Sequence, residues 1–297
     1  MSDFRIDKIT NRVGDAGTQI AGISTFSGTS GIQMPSGPTE YRGGRGRGFF
    51  GSGATPSNTR NLDMIEIAST GNGNDWGDDI VDGRKEGNSS FASSTRGVWA
   101  GGYHPAPLAQ MVYTIMSSQG GVSEFGNLTF SRYSLAGASD STRGISFGGR
   151  SASITSLNII DFVTLTTLGN ANDFGTLGSA KSSMISCSSS TRAVFAGGEA
   201  PGFINVIEYV QIATTGNTVD FGDVSSRSKR SGNGGSDCVR GFYFGGSNNT
   251  PASGTGFNDI DSFIFATQGN TADFGDLHTT VHSFPANGQT GTGHGGL

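Results

Sequence analysis

Four carboxylates stand at matched positions of a repeating sequence, and paired carboxylates are the groups with which glycosidases carry out acid–base catalysis. The four residues are Asp63, Asp161, Glu208 and Asp261. Equivalent positions in a symmetric ring lie at equal radius, so each carboxylate would face its neighbour rather than one shared substrate. We therefore interpret them as solvated or arginine-paired charges on strands, each of which contributes little to stability. No catalytic residue is predicted.

A basic residue recurs eleven positions before each of four similar phrases. These residues are Lys85, Arg132, Lys181 and Lys229. A single cation at a fixed place in each repeat is typical of a surface ion pair or of a contact to a loop carbonyl. We expect each one to contribute little to stability.

Few residues have the spacing of a metal site. Residues 71–79 resemble a calcium-binding loop, but a calcium-binding β-roll repeats every nine residues, which this segment does not do. One isolated calcium ion there remains an open alternative. His278 and His282 are four residues apart, and a solvent-facing pair is favoured over a metal site. We predict no metal and no cofactor, and we expect Cys187 and Cys238 to be free thiols, as in a reducing cytosol.

The elements that would position these residues come from a repeat of 47–49 residues. A short apolar phrase ending in small residues begins at Arg47, Arg96, Arg143, Arg192 and Arg240. A second phrase carries one large aromatic residue, at Trp76, Phe125, Phe174, Phe221 and Phe274. A repeat of this length indicates one supersecondary unit that is stacked or closed into a ring. Such symmetry weakens the case for an enzyme, whose catalytic site is normally asymmetric.

Each repeat supplies four short strands and shows no helical periodicity. They are the apolar Arg-Gly phrase, a β-branched and aromatic segment ending in a turn, the aromatic phrase, and a Ser/Gly-rich run. This pattern predicts an all-β protein, a β-propeller of five four-stranded blades. The segment around residues 282–290 would give the first blade its missing strand and so close the ring. A sixth, partial blade after residue 290 remains an alternative, and an open solenoid is disfavoured because neither end has a polar capping repeat.

The repeat resembles the kelch repeat, in which a double glycine ends the second strand and a late aromatic residue packs between blades. The resemblance assigns the first role to the pairs that begin at Gly101, Gly148, Gly197 and Gly245, whereas the first blade has Ser52-Gly53. It assigns the second role to the aromatic residue of each repeat.

The chain before the repeats has a different composition. Residues 1–45 hold short apolar pairs separated by glycines, which cannot form a core of their own. We predict an extended N-terminal arm and Gly-rich hinge over residues 1–45 and the propeller over 46–297. The arm would attach the protein to a partner through its apolar residues. The candidate attachment residues are Phe4, Ile6, Ile9, Ile23 and Phe26.

Binding specificity is expected in the loops that follow the double glycines, because these loops differ most from one repeat to the next. They should lie on one face of the ring, and their aromatic and polar residues would suit carbohydrate. Solvent-exposed loops without a ligand are an equal alternative. The candidate ligand-binding residues are Tyr103, His104, Phe203, Asn248 and Asn249.

The bulk composition limits the classes of partner. A net charge of −5 disfavours nucleic-acid binding, which depends on neutralising phosphates. No apolar stretch has the length of a membrane span, and the polar N-terminus does not resemble a secretory signal. We expect neither nucleic-acid binding nor membrane insertion.

Most of the chain is similar to repeats in virion proteins of marine tailed phages, especially cyanophages. The phrases that carry the similarity include Ser-Thr-Arg-Gly-Val-Trp-Ala-Gly-Gly and Asp-Phe-Gly-Asp-Leu, together with the opening segment 7–17. The resemblance implies a structural or fibre-type component of the tail, neck or baseplate. Such a protein would be assembled in the host cytoplasm. It would contact other virion proteins through its arm and form a homo-oligomer in the particle. It leaves open a host-glycan adhesin, a passive decoration subunit and, outside virions, a cellular kelch-like interaction module.

Overall fold

A computed structural model of the protein consists of β-strands, turns and loops. It describes residues 25–27, 31–33, 47–55, 57–66, 71–77, 80, 87–248, 256–281 and 289–290. Five four-stranded antiparallel sheets form a five-bladed β-propeller, which confirms the predicted fold. Within these ranges no helix has the length and apolar character needed to cross a membrane.

The second to fifth blades each use four strands in chain order from the axis outward. The second blade contains β6 (Ser89–Ala92), β7 (Arg96–Ala100), β8 (Gln110–Ile115) and β9 (Ser123–Asn127). The third contains β10 (Ala136–Ser139), β11 (Arg143–Phe147), β12 (Leu157–Thr164) and β13 (Asn172–Lys181). The fourth contains β14 (Ile185–Ser188), β15 (Arg192–Ala196), β18 (Val206–Gln211) and β19 (Val219–Asp223), with a small hairpin of β16 (Glu199–Ala200) and β17 (Gly202–Phe203). The fifth contains β20 (Asn233–Ser236), β21 (Arg240–Phe244), β22 (Phe257–Ile264) and β23 (Ala272–Val281).

The first blade joins the two ends of the repeated region. Its strands are β3 (Arg47–Thr55), β4 (Ser57–Glu66), β5 (Asn74–Asp75) and, from the C-terminal segment, β24 (Gln289–Thr290). In register, Gln289 pairs with Phe50 and Thr290 with Phe49. The C-terminal segment therefore supplies the strand that the first blade lacks, as predicted. The described strands form five blades, and residues 291–297, on which the alternative of a sixth, partial blade rests, lie outside the described residues.

The innermost strands come from the Ser/Gly-rich runs because there is little room beside the axis. A Cβ atom added to Gly137 would lie 2.6 Å from the carbonyl oxygen of Ser90 on the preceding blade. Serine hydroxyls join successive inner strands, since Ser188 Oγ donates to the carbonyl of Ser139 at 2.8 Å and Ser139 Oγ donates to that of Ala92 at 2.9 Å. Small polar side chains thus bring neighbouring blades into contact at the centre.

The hydrophobic core is divided among the interfaces between blades, which we call seams. Four clusters of buried residues fill the first four seams, from the first and second blades to the fourth and fifth. In the third seam, for example, Phe174 of the third blade packs with Val210 and Ile212 of the fourth. Among the described residues no fifth cluster joins the fifth blade to the first.

The recurring arginine holds one blade to the next. Arg96 Nη1 donates to the carbonyl of Leu165 in the third blade at 2.7 Å, and its guanidinium lies 5.2 Å from the ring centre of Tyr113 in its own blade. The equivalent donations run from Arg47 to Met116, from Arg143 to Ile212 and from Arg192 to Phe265. A stacked guanidinium that caps a main-chain carbonyl explains the arginine at the start of the phrase in these four blades.

The predicted role of the late aromatic residues is confirmed at four of five positions. Trp76, Phe125, Phe174 and Phe221 are buried between blades. Phe274 is different, since 55% of it is exposed. The prediction is wrong for this residue because packing at a seam requires the next blade as well as the motif.

The predicted arm contains one described element. Strands β1 (Thr25–Ser27) and β2 (Gly31–Gln33) form an antiparallel hairpin in which Phe26 pairs with Ile32. Of the proposed attachment residues, Phe26 lies in β1, whereas Phe4, Ile6, Ile9 and Ile23 lie outside the described residues.

Candidate functional site

The double glycines create one face of the ring on which loops of different sequence begin. Antiparallel strands alternate in direction, so the loops between second and third strands emerge on the same side as the segments that join one blade to the next. Gly101 and Gly102 have φ values of 68° and 101°, and the pair 197–198 has 63° and 101°. Residues with a Cβ rarely adopt these values, so the turn requires glycine at both positions. We call the side that carries these loops the double-glycine face.

Beneath this face, buried ion pairs hold the segments that join the blades. Arg132 Nη1 lies 3.1 Å from Asp161 Oδ2, and their side chains are 0% and 1% exposed. Lys229 Nζ lies 2.5 Å from Asp261 Oδ2, and Lys181 pairs with Glu208 in the same way. In each pair the cation lies at or just after the end of one blade and the acid belongs to the next. The expected surface location is therefore wrong for all three pairs, whereas Asp161 is paired with an arginine, as one of the two alternatives had it.

Each buried acid is further bound by the segment that carries its cation. Asp161 accepts hydrogen bonds from Thr129 N at 3.0 Å and Thr129 Oγ1 at 2.6 Å. Burial lowers the pKa of Arg132, and the charge of Asp161 opposes that shift. These carboxylates are thus occupied in holding blades together. In the first blade Asp63 is exposed, and Lys85 lies outside the described residues.

The position directly after each double glycine shows which side chains the shared backbone carries at this face. Its occupants are Tyr103, Arg150, Glu199 and Ser247. Three of them form an antiparallel bridge to the residue that follows a buried cation: Tyr133 to Arg150, Ser182 to Glu199 and Arg230 to Ser247. The backbone is therefore repeated here, while the side chains are aromatic, basic, acidic or small.

Residues at these positions form a strip across the second to fourth blades, which we call the mouth strip and in which the main-chain bridge between Tyr133 and Arg150 joins the two halves. It consists of Tyr103, Tyr133, Arg150, Glu199, Arg230 and Phe203. The rings of Tyr103 and Tyr133 meet edge to face with centres 5.2 Å apart. Further along, the two arginines of the strip each lie 2.6 Å from Glu199 Oε2.

The strip ends at an aromatic residue held by one of these arginines. The guanidinium of Arg230 lies 5.1 Å from the ring centre of Phe203, which the β16–β17 hairpin places on this face. Side chains of Arg150, Glu199 and Arg230 are 17%, 26% and 8% exposed. The strip therefore offers aromatic surface at both ends and a largely preformed charged group between them.

The predicted binding residues are placed as follows. Tyr103 and Phe203 are half-buried and belong to opposite ends of the mouth strip. His104 is half-buried beside Tyr103, and its main-chain N donates to the carbonyl of Ala106 at 2.9 Å. Asn248 is exposed on the fifth blade, away from these contacts, and Asn249 lies outside the described residues.

Sequence reasoning missed Tyr133 and Arg230 as members of the strip, and it did not single out Arg150 or Glu199 within their loops. The signal was present in the repeat. The residue after each double glycine and the residue after each buried cation change type, whereas the glycines before the first and the serine after the second do not. Their pairing could not be read from the sequence, because it depends on the bridge between two loops.

Residues 71–79, the candidate calcium loop, are described only in part, and Asp78 and Asp79 lie outside the described residues. Across the residues that the structure describes, no three potential His, Cys, Asp or Glu ligands converge on one point.

Comparisons with protein-family models and with curated protein sequences found no match to this chain.

Proposed function

We propose that this protein is a structural component of a tailed-phage virion, of the fibre type. Its arm attaches to the tail, neck or baseplate, and its propeller points outward and binds host-surface glycans through the double-glycine face. The observation that carries the binding proposal is the mouth strip, where a repeated backbone presents side chains that are not repeated. Variable residues on a rigid scaffold are where binding functions are commonly found.

The chemistry of the mouth strip suits a sugar ring. The half-buried rings of Tyr103 and Phe203 offer apolar faces, and aromatic side chains contribute large contact area with little loss of conformational freedom. Between them, Arg150 and Glu199 supply hydrogen-bond donors and acceptors in fixed positions. Because these groups already hold one another, a ligand would meet a preorganised surface.

Binding without catalysis is part of this proposal. The repeated acids Asp161, Glu208 and Asp261 are held by buried cations. A general acid or base must exchange protons with substrate, and a carboxylate bound in a buried ion pair is poorly suited to do so.

The virion assignment rests on the sequence resemblance and is tested by localisation. Gold-labelled antibody against the propeller should decorate purified particles at one tail substructure. A variant without residues 1–40 should remain folded but fail to enter particles, because the arm carries the attachment residues. Undecorated particles would overturn the assignment, and normal incorporation of the truncated protein would overturn the role of the arm.

A passive decoration subunit is the second candidate, and one observation favours it. Arg150 and Arg230 are both engaged by Glu199 and are mostly buried, which leaves few polar atoms free for a ligand. Such a subunit would enter particles in the same way but would not bind host cells. A cellular kelch-like module is the third, and it would be recovered with host proteins rather than with particles. In either virion role we expect several copies arranged by the symmetry of the attachment site.

A further inference from the structure

The outer part of the fifth blade carries an apolar surface that has no described neighbour. We call it the phenylalanine patch, and it consists of Phe242, Phe244 and Phe274. The ring centres of Phe242 and Phe274 are 5.0 Å apart, and those of Phe242 and Phe244 are 6.2 Å apart. The equivalent residues of the second blade are buried against the third blade: Val98, Ala100 and Phe125. The patch therefore occupies the side of the fifth blade on which every other blade is covered by its successor.

The other seams show which main-chain hydrogen bonds accompany the packing of one blade on the next. In the fourth seam, Gly269 N donates to the carbonyl of Phe221 at 2.7 Å, and Asp223 N donates to Asn270 Oδ1 at 2.9 Å. The second and third seams repeat both bonds through Gly169-Asn170 and Gly216-Asn217. A Gly-Asn turn of one blade thus covers the outer strand of the blade before it.

The first blade has the same turn. Gly71 and Asn72 precede β5 as the other Gly-Asn pairs precede the outer strands of their blades, and both residues are exposed. Among the described residues, neither makes a hydrogen bond to β23. On the same side of the first blade, Phe50 is 41% exposed, although its equivalents Trp99 and Tyr243 are buried against the preceding blade.

Gly275 also has the conformation required at a closed seam. Its φ is 143°, close to the 146° of Gly222 in the fourth blade. A Cβ on Gly222 would lie 2.4 Å from the carbonyl oxygen of Gly269, whereas a Cβ on Gly275 meets no described atom within 4 Å. The fifth blade therefore presents the backbone that receives a Gly-Asn turn, without the turn.

We propose that the outer edge of β23 and the phenylalanine patch bind the Gly71-Asn72 turn of the same chain, so that the fifth seam closes. In the closed form Gly71 N donates to the carbonyl of Phe274 and Asp276 N donates to Asn72 Oδ1. Phe50 then packs toward the patch. The other four seams already hold buried clusters, so the fifth is the seam that this turn would complete.

The same chain is favoured over a second copy as the source of the turn. Strand β24 already pairs with β3, so the end of the chain holds the first blade near the fifth. A tether of this kind gives an effective local concentration on the order of millimolar, above the concentration of free protein in ordinary experiments.

Disulfide trapping tests the closed seam. The seam variant is Asp276→Cys with Asn72→Cys, and the matched control is Asp223→Cys with Asn270→Cys, which places the same two substitutions in the fourth seam. Both carry Cys238→Ser to remove the exposed native thiol. We expect both variants to form a disulfide within one chain during mild oxidation, to similar extents, because hydrogen-bonded residues of this kind lie within disulfide reach.

Three outcomes would overturn the proposal. They are a disulfide in the control alone, a disulfide between two chains in the seam variant, and a lack of protection at Asp276 in the unmodified protein. The last is measured by amide hydrogen exchange, which needs no variant. If the seam closes, the amide of Asp276 exchanges within about a hundredfold of the rate at Asp223, whereas an open seam leaves it at the rate of an unstructured chain.

Discussion

The interior of the ring and its double-glycine face share one repeated backbone but carry different patterns of side chains. In the interior, matched positions carry matched chemistry: a cation from one blade meets an acid of the next, and an arginine caps a carbonyl of its neighbour. At the double-glycine face, positions matched in backbone carry tyrosine, arginine, glutamate and serine. The comparison teaches that repetition marks the residues that hold the ring together, whereas loss of repetition marks the residues that we propose for binding.

The largest expected effect belongs to the buried ion pairs. Changing Glu208→Ala leaves Lys181 buried and unpaired, and we expect the free energy of unfolding to fall by about 3–5 kcal/mol. The matched control is Asp220→Ala, because Asp220 is the register partner of Glu208 but is exposed. It should change stability by less than about 0.5 kcal/mol. Urea unfolding measures both, and equal losses would show that burial does not distinguish these two acids.

The double change Lys181→Met with Glu208→Leu sharpens this test. Removing both charges together should restore much of the stability, because no buried ion remains without a partner. A double variant as unstable as Glu208→Ala alone would contradict the explanation through burial of an unpaired charge.

The reactivities of the two thiols distinguish a residue buried in a seam, Cys187, from an exposed residue, Cys238. Burial raises the pKa of Cys187 to about 12 from an ordinary value of 9.0. Since the thiolate is the reactive form, Cys187 in the folded protein should react about a thousandfold more slowly at pH 8 than an ordinary thiol. Burial and the charge of Asp237 also raise the pKa of Cys238, but this thiol is exposed and should be modified first.

Mass spectrometry after timed alkylation gives the two rates separately. Raising the pH increases the thiolate fraction of each residue until its own pKa is passed, so Cys187 should continue to accelerate to the highest pH at which the protein stays folded. Equal rates for the two residues at pH 8 would mean that the fourth seam is open to reagent.

A smaller effect is expected from glycines at the outer edge of a seam. A Cβ on Gly175, where φ is 148°, would lie 2.3 Å from the carbonyl oxygen of Gly216. Gly175→Ala should lower the free energy of unfolding by about 2–3 kcal/mol through backbone strain and crowding. Gly216→Ala is the control, because no described atom lies within 4 Å of its added Cβ. Thermal unfolding should separate the two, and similar midpoints would contradict close contact between these blades.

The smallest effect on stability is expected at the mouth strip. Tyr103→Ala with Phe203→Ala removes two half-buried rings at opposite ends of the strip, and we expect a change below about 1 kcal/mol. Urea unfolding is again the measurement. A loss as large as that of Glu208→Ala would mean that these rings serve the fold, which would remove the contrast between the face and the interior.

The sequence predicted the parts of the fold that each repeat carries within itself. The four strands, the double-glycine turns and the closure by the C-terminal segment follow from local composition and spacing. Both members of each ion pair, such as Lys181 and Glu208, were identified, but their burial was not. The two residues come from different blades, and a charged residue in a strand gives no sign of which neighbour covers it.

Two further features depended on contacts between repeats. The motif around Phe274 matches the other four, yet its environment depends on the first blade, so its exposure could not be inferred from the motif. Arg150, Glu199 and Arg230 meet because three separate loops converge, and no spacing along the chain encodes that meeting.

Adsorption competition tests the central claim, that the double-glycine face binds host-surface glycans, most directly. Purified protein is titrated onto host cells and the remaining adsorption of the phage is counted. The mouth variant is Tyr103→Ala with Phe203→Ala, and the control is Leu168→Ala with Val239→Ala, two exposed apolar residues on the opposite face. We predict dose-dependent blocking by the wild type and the control, with the mouth variant needing at least about tenfold more protein. Equal blocking by all three proteins, or none by the wild type, would contradict the claim.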